Sequence, residues 1–511
     1  MEQWAEADPE HAYVSDGTSS YSYGRFRDDA WALARSFVDL GVTAGDRVVV
    51  QLPNWNEFFL VYAALSRVGA ITIPCVHVYR AGEVGFIVRD SGAVGLVTAG
   101  EFRGFDHAEM ARAVAAESPG LRFRVVVRGT AAGALPLEEL LSGSDAVLPD
   151  PTPADDRHLV LYSSGTEAQP KGCLHTWNTS SFLPKQAVVA LGLTRDDVVF
   201  MPSPVTHALG LTLGVMAPTI AGAAVHLMDV FEPAAAIQRI TEHGCTGTAS
   251  PAAFIRMTLD AFDPAVHDLS GLRFWLTAGA PVPAALVTES AAAFDGCRVV
   301  SAYGSSEVMM ATVCRPEDPI GRVATSDGSP VPGVELRIVD PATEEEQPTG
   351  QDGEIRYRGP GRLLEYWNRP DLTAAATDGA GWWRTGDLGR LDDEGYLRVT
   401  GRLKDVIIRG GHNISARQVE EALLQHPAVS DVSVIGLPDA RLGEKVCAVL
   451  VTRDGSQLTL DEVRHHLVDT CRLAVWKTPE QIEFVTAMPV TATGKTQKYA
   501  LRAAYTPVAP Q

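Results

Sequence analysis

At 511 residues the chain is too long for one hydrophobic core, so two or more domains are expected. Its net charge of −20, from 63 acids against 43 Lys and Arg, argues against nucleic acid or an anionic membrane as partner. Seven scattered cysteines with no Cys-x-x-Cys pair fit a reducing cytoplasm, not a disulfide framework or a zinc site.

The first ten residues are acidic and lack the basic-then-apolar pattern of a targeting segment. Helical periodicity runs through Asp28 to Leu40 and Glu57 to Val68. Strand-like runs are Arg47 to Leu52, Ala70 to Pro74 and Val94 to Thr98. Their alternation predicts an α/β fold with mostly parallel sheets. Residues 143–156, rich in Pro, Asp and Gly, read as a surface loop, and Leu159 to Leu161 as a buried strand. The most apolar stretch, Leu209 to Leu227, is interrupted by Gly, Pro218 and His226, so no membrane span is expected. From Glu354 the pattern changes to short strands and turns; Gln418 to Gln425 reads as helix and Val429 to Ile435 as strand. The expected organisation is a large α/β domain over 1–401 and a small α+β domain over 402–511.

Four segments carry candidate chemistry. In YSSGTEAQPKG, Ser163, Ser164, Gly165 and Thr166 precede Lys171 after a strand. Such a loop offers backbone N–H groups, hydroxyls and a cation to one anion, although it lacks Walker A spacing. In SAYGSSE, Tyr303 and Gly304 precede Ser306 and Glu307. The tyrosine offers a stacking face, the serine a phosphate-binding hydroxyl and the acid a ligand for Mg²⁺; alone, the run also reads as a turn with a capping Ser–Glu pair. In the segment 381–414, Asp387 in a Thr-Gly-Asp turn could accept both ribose hydroxyls, or be an ordinary turn aspartate. Arg402 could donate to ribose or phosphate. In PVTATGKTQK, Lys495 sits in a Thr-Gly-Lys loop near the end of the chain.

In this order and spacing, roughly residues 20 to 503, the segments resemble the adenylate-forming superfamily of acyl-CoA ligases, adenylation domains and luciferases. TAGAP, with Gly279, Ala280 and Pro281, matches that family's adenine-side loop. The resemblance implies ATP or AMP, Mg²⁺ and coenzyme A as cofactors and substrates. It places Lys495 between the α-phosphate and the attacking carboxylate, a hinge at Lys404, and Gly410 and Gly411 beside the pantetheine tunnel. It implies that the C-terminal domain is mobile and rotates between half-reactions; dimerisation is common among relatives.

The same resemblance puts His207, in MPSPVTHALGL, beside the acyl pocket as a gate; the alternative is a packed histidine. No acid occurs between Met201 and Met228, so a buried substrate ammonium would lack a partner, which disfavours an α-amino acid. Met309 and Met310 suit an adaptable pocket wall or an ordinary core. The texture of the chain is most similar to cyclohexanecarboxylate–CoA ligases and dihydroxybenzoate-activating enzymes. An alicyclic, aromatic or terpenoid-like acid is therefore expected, with CoA as thiol and a carrier-protein arm as runner-up. Relatives usually carry Thr and Gly where this chain has Glu167 and Ala168. A carboxylate about 6 Å from the triphosphate, at an effective dielectric of about 20, costs roughly 3 kcal/mol per phosphate charge. The expectation is a weakened ATP step with the thioester step kept, in which case a separate adenylating enzyme supplies the acyl-adenylate. The competing readings are a luciferase-like oxygenase and a non-catalytic nucleotide-binding homologue.

Overall fold

The computed structural model describes residues 1–163, 170–280, 282–453, 455–491 and 496–506. They form two compact units. The first takes Met1–Ser163, Pro170–Glu335 and Arg358–Gly381; the second takes Leu336–Tyr357 and the described residues from Trp382 onward. These units do not follow the 401/402 division. Strands Gly353–Arg358, Trp383–Leu391 and Leu397–Arg402 pair with one another in one antiparallel sheet, and hydrogen bonds hold them together.

The first unit contains two large sheets. The valine-rich strand Arg47–Gln51 buries its last four residues, as a β-branched run does when both sheet faces are covered. It pairs in parallel with Ile71–Pro74 and Gly95–Ala99, and the latter with Phe123–Val127. On the other side, Arg157–Tyr162 runs parallel to Ile71–Pro74 and antiparallel to Gly172–Thr176, which pairs with Glu365–Tyr366. Helices Asn56–Val68 and Ala81–Ser91 end at Gly69 and Gly92, both left-handed, with φ of 83° and 61°. Helix Tyr23–Asp39 starts five residues before the predicted Asp28 because Ser22 caps it, accepting from the Arg25 amide at 3.4 Å. Val49, Ile71, Ile87, Leu96, Val160 and Leu174 fill the core under this sheet.

In the second sheet, Arg298–Tyr303, Phe274–Ala278, Gly247–Ser250 and Val198–Met201 lie side by side and parallel. Their carboxyl ends share one edge, the usual ligand-binding edge of a parallel sheet. The stretch from Leu209 to Leu227 breaks into a π-helical turn Leu211–Met216, a short helix Ala217–Ala221 and the strand Ala224–Leu227. Among the described residues no helix is long and apolar enough to cross a membrane.

In the second unit, helix Ala416–Leu423 is capped by Ser415 and buries Val419 and Leu423. They meet Val432, Val434, Val446, Ala448 and Leu450 from the antiparallel pair Val429–Asp439 and Gly443–Thr452. Gln481–Phe484 adds a parallel strand. Trp476 packs on this core with its ring 4.9 Å from that of His412.

Candidate active site

The predicted phosphate loop is the connection of a hairpin. Tyr162 pairs with Gly172, and the Ser163 amide donates to the Lys171 carbonyl at 2.9 Å. The Ser163 hydroxyl accepts from the Lys171 amide at 3.3 Å. The base of the loop is thus closed by backbone and side chain together. Ser164, Gly165, Thr166, Glu167 and Ala168, like Pro281 and Lys495, lie outside the described residues.

Beyond the hairpin, the Lys171 ammonium lies over the ring of Tyr366, 5.7 Å from its centroid. The Tyr366 hydroxyl donates to Glu307 Oε1 at 2.9 Å. The Glu307 carbonyl accepts from the Leu363 amide at 2.7 Å, and its own amide donates to the Ser305 hydroxyl at 3.3 Å. One predicted phosphate ligand and the predicted metal ligand therefore share a neighbour. Tyr366 was not found from the sequence.

His175 was missed as well. Its Nε2–H donates to the Ser306 carbonyl at 2.8 Å. A neutral ring that donates there must accept at Nδ1, where the Thr179 hydroxyl lies 3.1 Å away. Burial holds the His175 pKa down to about 4, against the opposing pull of the Ser306 carbonyl and Glu307. Ser306 is thus anchored through its backbone carbonyl.

Tyr303 ends the strand Arg298–Tyr303 and Gly304 follows it; Gly279 and Ala280 follow its parallel neighbour Phe274–Ala278, with Ala278 opposite Ala302. The sheet thereby brings the two loops to one edge. Gly279 has φ of 87°, and both Gly279 and Ala280 are exposed. Tyr303 is buried, so its ring is packed within the fold rather than offered to solvent. Gly304 has a steric reason: a Cβ there would stand 1.7 Å from the Met309 carbonyl oxygen. Met309 itself adopts φ of 54°, a conformation that stores strain in a residue with a side chain. Met309 and Met310 are both buried.

His207 lies on the same edge, after Val198–Met201, and immediately precedes the short helix Ala208–Gly210. Its loop is held by Asn54, a third residue that sequence reading missed. The Asn54 side-chain N–H groups donate to the carbonyls of Met201, Ser203 and Met228 at 3.2, 2.8 and 3.0 Å. Its oxygen accepts from the Val205 amide at 2.9 Å.

The second unit holds a separate group. Asp387 was expected in a tight turn; it lies inside the strand Trp383–Leu391, opposite Arg402. The turn-forming residues act locally within the strand: Gly386 takes φ of 70°, and the Thr385 hydroxyl accepts from the Asp387 amide at 3.1 Å. Arg402 Nε donates to Asp387 Oδ1 at 2.8 Å, so the two expected ribose ligands form an ion pair. Lys404 stands on the one-turn helix Leu403–Asp405 just after it. Gly410 and Gly411, with φ of 55° and 84°, make the two-residue turn between Val406–Arg409 and His412–Ser415. Sequence reading attributed them to close approach of a ligand. The turn accounts for their positive φ, and a Cβ on Gly411 would meet no atom of the described residues within 4 Å.

Among the described residues no cluster of three His, Cys, Asp or Glu side chains could hold a metal by itself. A lone carboxylate such as Glu307 fits Mg²⁺ delivered on phosphates, which takes one or two protein carboxylates. All seven cysteines are free, and six are buried.

The AMP-binding enzyme family model matches residues 1–367, and that of the AMP-binding enzyme C-terminal domain matches residues 418–495. A medium-chain fatty-acid–CoA ligase of Escherichia coli is 35% identical, over 98% of this chain and 89% of its own length. A Mycobacterium tuberculosis 3-[(3aS,4S,7aS)-7a-methyl-1,5-dioxo-octahydro-1H-inden-4-yl]propanoyl:CoA ligase is also 35% identical, over 97% of this chain and 96% of its own. The crystal structure of ATP-bound MatB from Rhodopseudomonas palustris superposes with a TM-score of 0.88 at 27% identity, covering 98% of each chain. The chain belongs to the AMP-binding enzyme family, within the adenylate-forming superfamily, and is an AMP-forming acid–thiol ligase.

Proposed function

We propose that the protein joins a bulky alicyclic, aromatic or terpenoid-like carboxylic acid to coenzyme A through an acyl-adenylate, and that Glu167 and Ala168 weaken the ATP-dependent step. The acid's oxygen attacks the α-phosphorus of ATP, forming the acyl phosphate bond and releasing pyrophosphate. The thiol then attacks the acyl carbon, its proton goes to solvent, and AMP leaves. No protein nucleophile takes part. Positioning and charge stabilisation supply the catalysis.

In this reading Lys171, Ser163, Ser164, Gly165 and Thr166 take the phosphates, Gly279, Ala280, Pro281 and Tyr303 the adenine, and Asp387 and Arg402 the ribose. Ser306 contacts phosphate, and Glu307 holds Mg²⁺, which when bound neutralises phosphate charge. Lys495 serves the adenylating step, and the segment from 402 turns about Lys404 before thioester formation. The observation that carries the acid class is the apolar, acid-free character of the segment from Met201 to Met228, together with buried Met309 and Met310. The relative acting on a bicyclic propanoate supports it.

The test is acyl-CoA formation by mass spectrometry over a panel of alicyclic, aromatic and medium-chain acids. Each is offered with CoA as free acid plus MgATP and as preformed adenylate. Products from the adenylate arm well above the ATP arm support the reading. Equal rates in both arms refute the weakened ATP step. In that assay Glu167→Thr with Ala168→Gly raises the ATP arm on the order of a hundredfold, the inverse of the roughly 3 kcal/mol electrostatic penalty.

A further inference from the structure

We propose that Tyr366 is a positioning residue for the adenylating step, seating the phosphate-loop lysine with its ring and the metal-binding carboxylate with its hydroxyl. The proposal rests on the ligase reading above, since that reading assigns Lys171 to phosphate and Glu307 to Mg²⁺.

The geometry is specific to one side chain. Tyr366 is only 8% exposed, and its backbone is fixed by sheet pairing opposite Cys173, two residues beyond Lys171. Its amide donates to the Thr373 hydroxyl at 2.9 Å, which ties it to helix Pro370–Ala375. From this fixed backbone the ring reaches under the Lys171 ammonium at 5.7 Å, and the hydroxyl reaches Glu307 Oε1 at 2.9 Å. A phenol pointing into a buried setting needs an acceptor, and here a carboxylate supplies it. Holding Oε1 in this way fixes the carboxylate plane, so that Oε2 is presented in one direction. The cation that meets phosphate and the carboxylate that meets the phosphate-borne metal are thereby set at a constant separation. Neither has to be ordered when the nucleotide arrives.

Glu307 has a second support that does not pass through Tyr366. His175 fixes the Ser306 carbonyl, and the Leu363 amide fixes the Glu307 carbonyl. The backbone of this turn is therefore held without the phenol. Removing the hydroxyl frees only the carboxylate, and this separates a positioning role from a folding role.

The experiment is calorimetric titration of the full chain with ATP, across a series of Mg²⁺ concentrations, and with AMP as control. Wild type, Tyr366→Phe and Tyr366→Leu are compared. Mg²⁺ strengthens ATP binding to the wild type. In Tyr366→Phe the Mg²⁺ needed for half of that gain rises on the order of tenfold, the scale of a hydrogen bond to a charged group. ATP affinity without Mg²⁺, and AMP affinity, stay at wild-type values in Tyr366→Phe. Tyr366→Leu also loses Mg²⁺-free ATP affinity by a fewfold, because the ring under Lys171 is gone. An unchanged Mg²⁺ response in Tyr366→Phe overturns the proposal. So does a parallel loss of ATP and AMP affinity in that variant, which marks a structural role, or wild-type ATP affinity indifferent to Mg²⁺. Failure of the ligase reading is seen separately, as absence of wild-type acyl-CoA from preformed adenylate.

Discussion

His175→Gln is expected to flatten the acid side of the stability profile while leaving the Ser306 contact in place. The His175 pKa is about 4 in the folded chain, because burial opposes the charged ring. In the unfolded chain it is about 6.5. The unfolded state thus binds the proton more readily, and protonation favours unfolding. The stability contributed by the neutral ring is fully present above about pH 6.5 and is lost as the pH falls toward 4. At pH 5 linkage makes the loss about 2 kcal/mol, and by pH 4 it approaches about 3 kcal/mol. A glutamine amide reaches nearly the same point as Nε2 and still donates to the Ser306 carbonyl, but it does not titrate. The assay is urea unfolding of both proteins at pH 7.5 and pH 5, followed by tryptophan fluorescence. The wild type should lose about 2 kcal/mol more than the variant between the two conditions. His77, His107 and His226, also held down at about 4 by burial, act equally in both proteins and cancel from the comparison; His158, held at about 3 chiefly by burial and secondarily by charge on His175, stays neutral at pH 5 in both. Identical pH slopes would refute the assignment of a buried neutral His175.

Three further outcomes are expected. Asp387→Ala removes one partner of Arg402; because the Arg402 side chain is 40% exposed, the stability loss is about 1 kcal/mol, while AMP affinity falls tenfold or more, read by calorimetry. Gly304→Ala forces the Met309 carbonyl away and is expected to cost about 3 kcal/mol or more in thermal or urea unfolding; a variant as stable as wild type contradicts the steric reading. Gly411→Val places a β-branched residue at φ of 84° and should cost about 1–2 kcal/mol in the second unit, with thioester formation from preformed adenylate reduced.

The alternation of apolar runs made the α/β class legible, because buried parallel strands such as Arg47–Gln51 are continuous valine runs bounded by amphipathic helices. Boundaries were less so. Ser22 advances a helix that periodicity alone starts at Asp28, since a cap acts through one hydroxyl and leaves no periodic trace. Asp387 shows how turn chemistry misleads. Thr-Gly-Asp is a turn signal, yet here it kinks a strand whose partner supplies Arg402. The residues proposed for nucleotide chemistry stood out because the segments that carry them are short and compositionally unusual. Tyr366, His175 and Asn54 were not, because each acts across 59, 131 or about 150 positions of chain, a separation that local pattern cannot express.

The buried cysteines have a consequence for the enzyme's own survival. An acyl-adenylate is an activated electrophile that reacts with any available thiolate. Burial pushes the thiols of Cys245, Cys297, Cys314 and Cys447 up to about 11 or 12, and raises those of Cys75, Cys173 and the half-buried Cys471 as well. At neutral pH each sulfur therefore keeps its proton. Packing thus withholds the six buried sulfurs from a thiol-seeking intermediate, and self-acylation is suppressed at those positions.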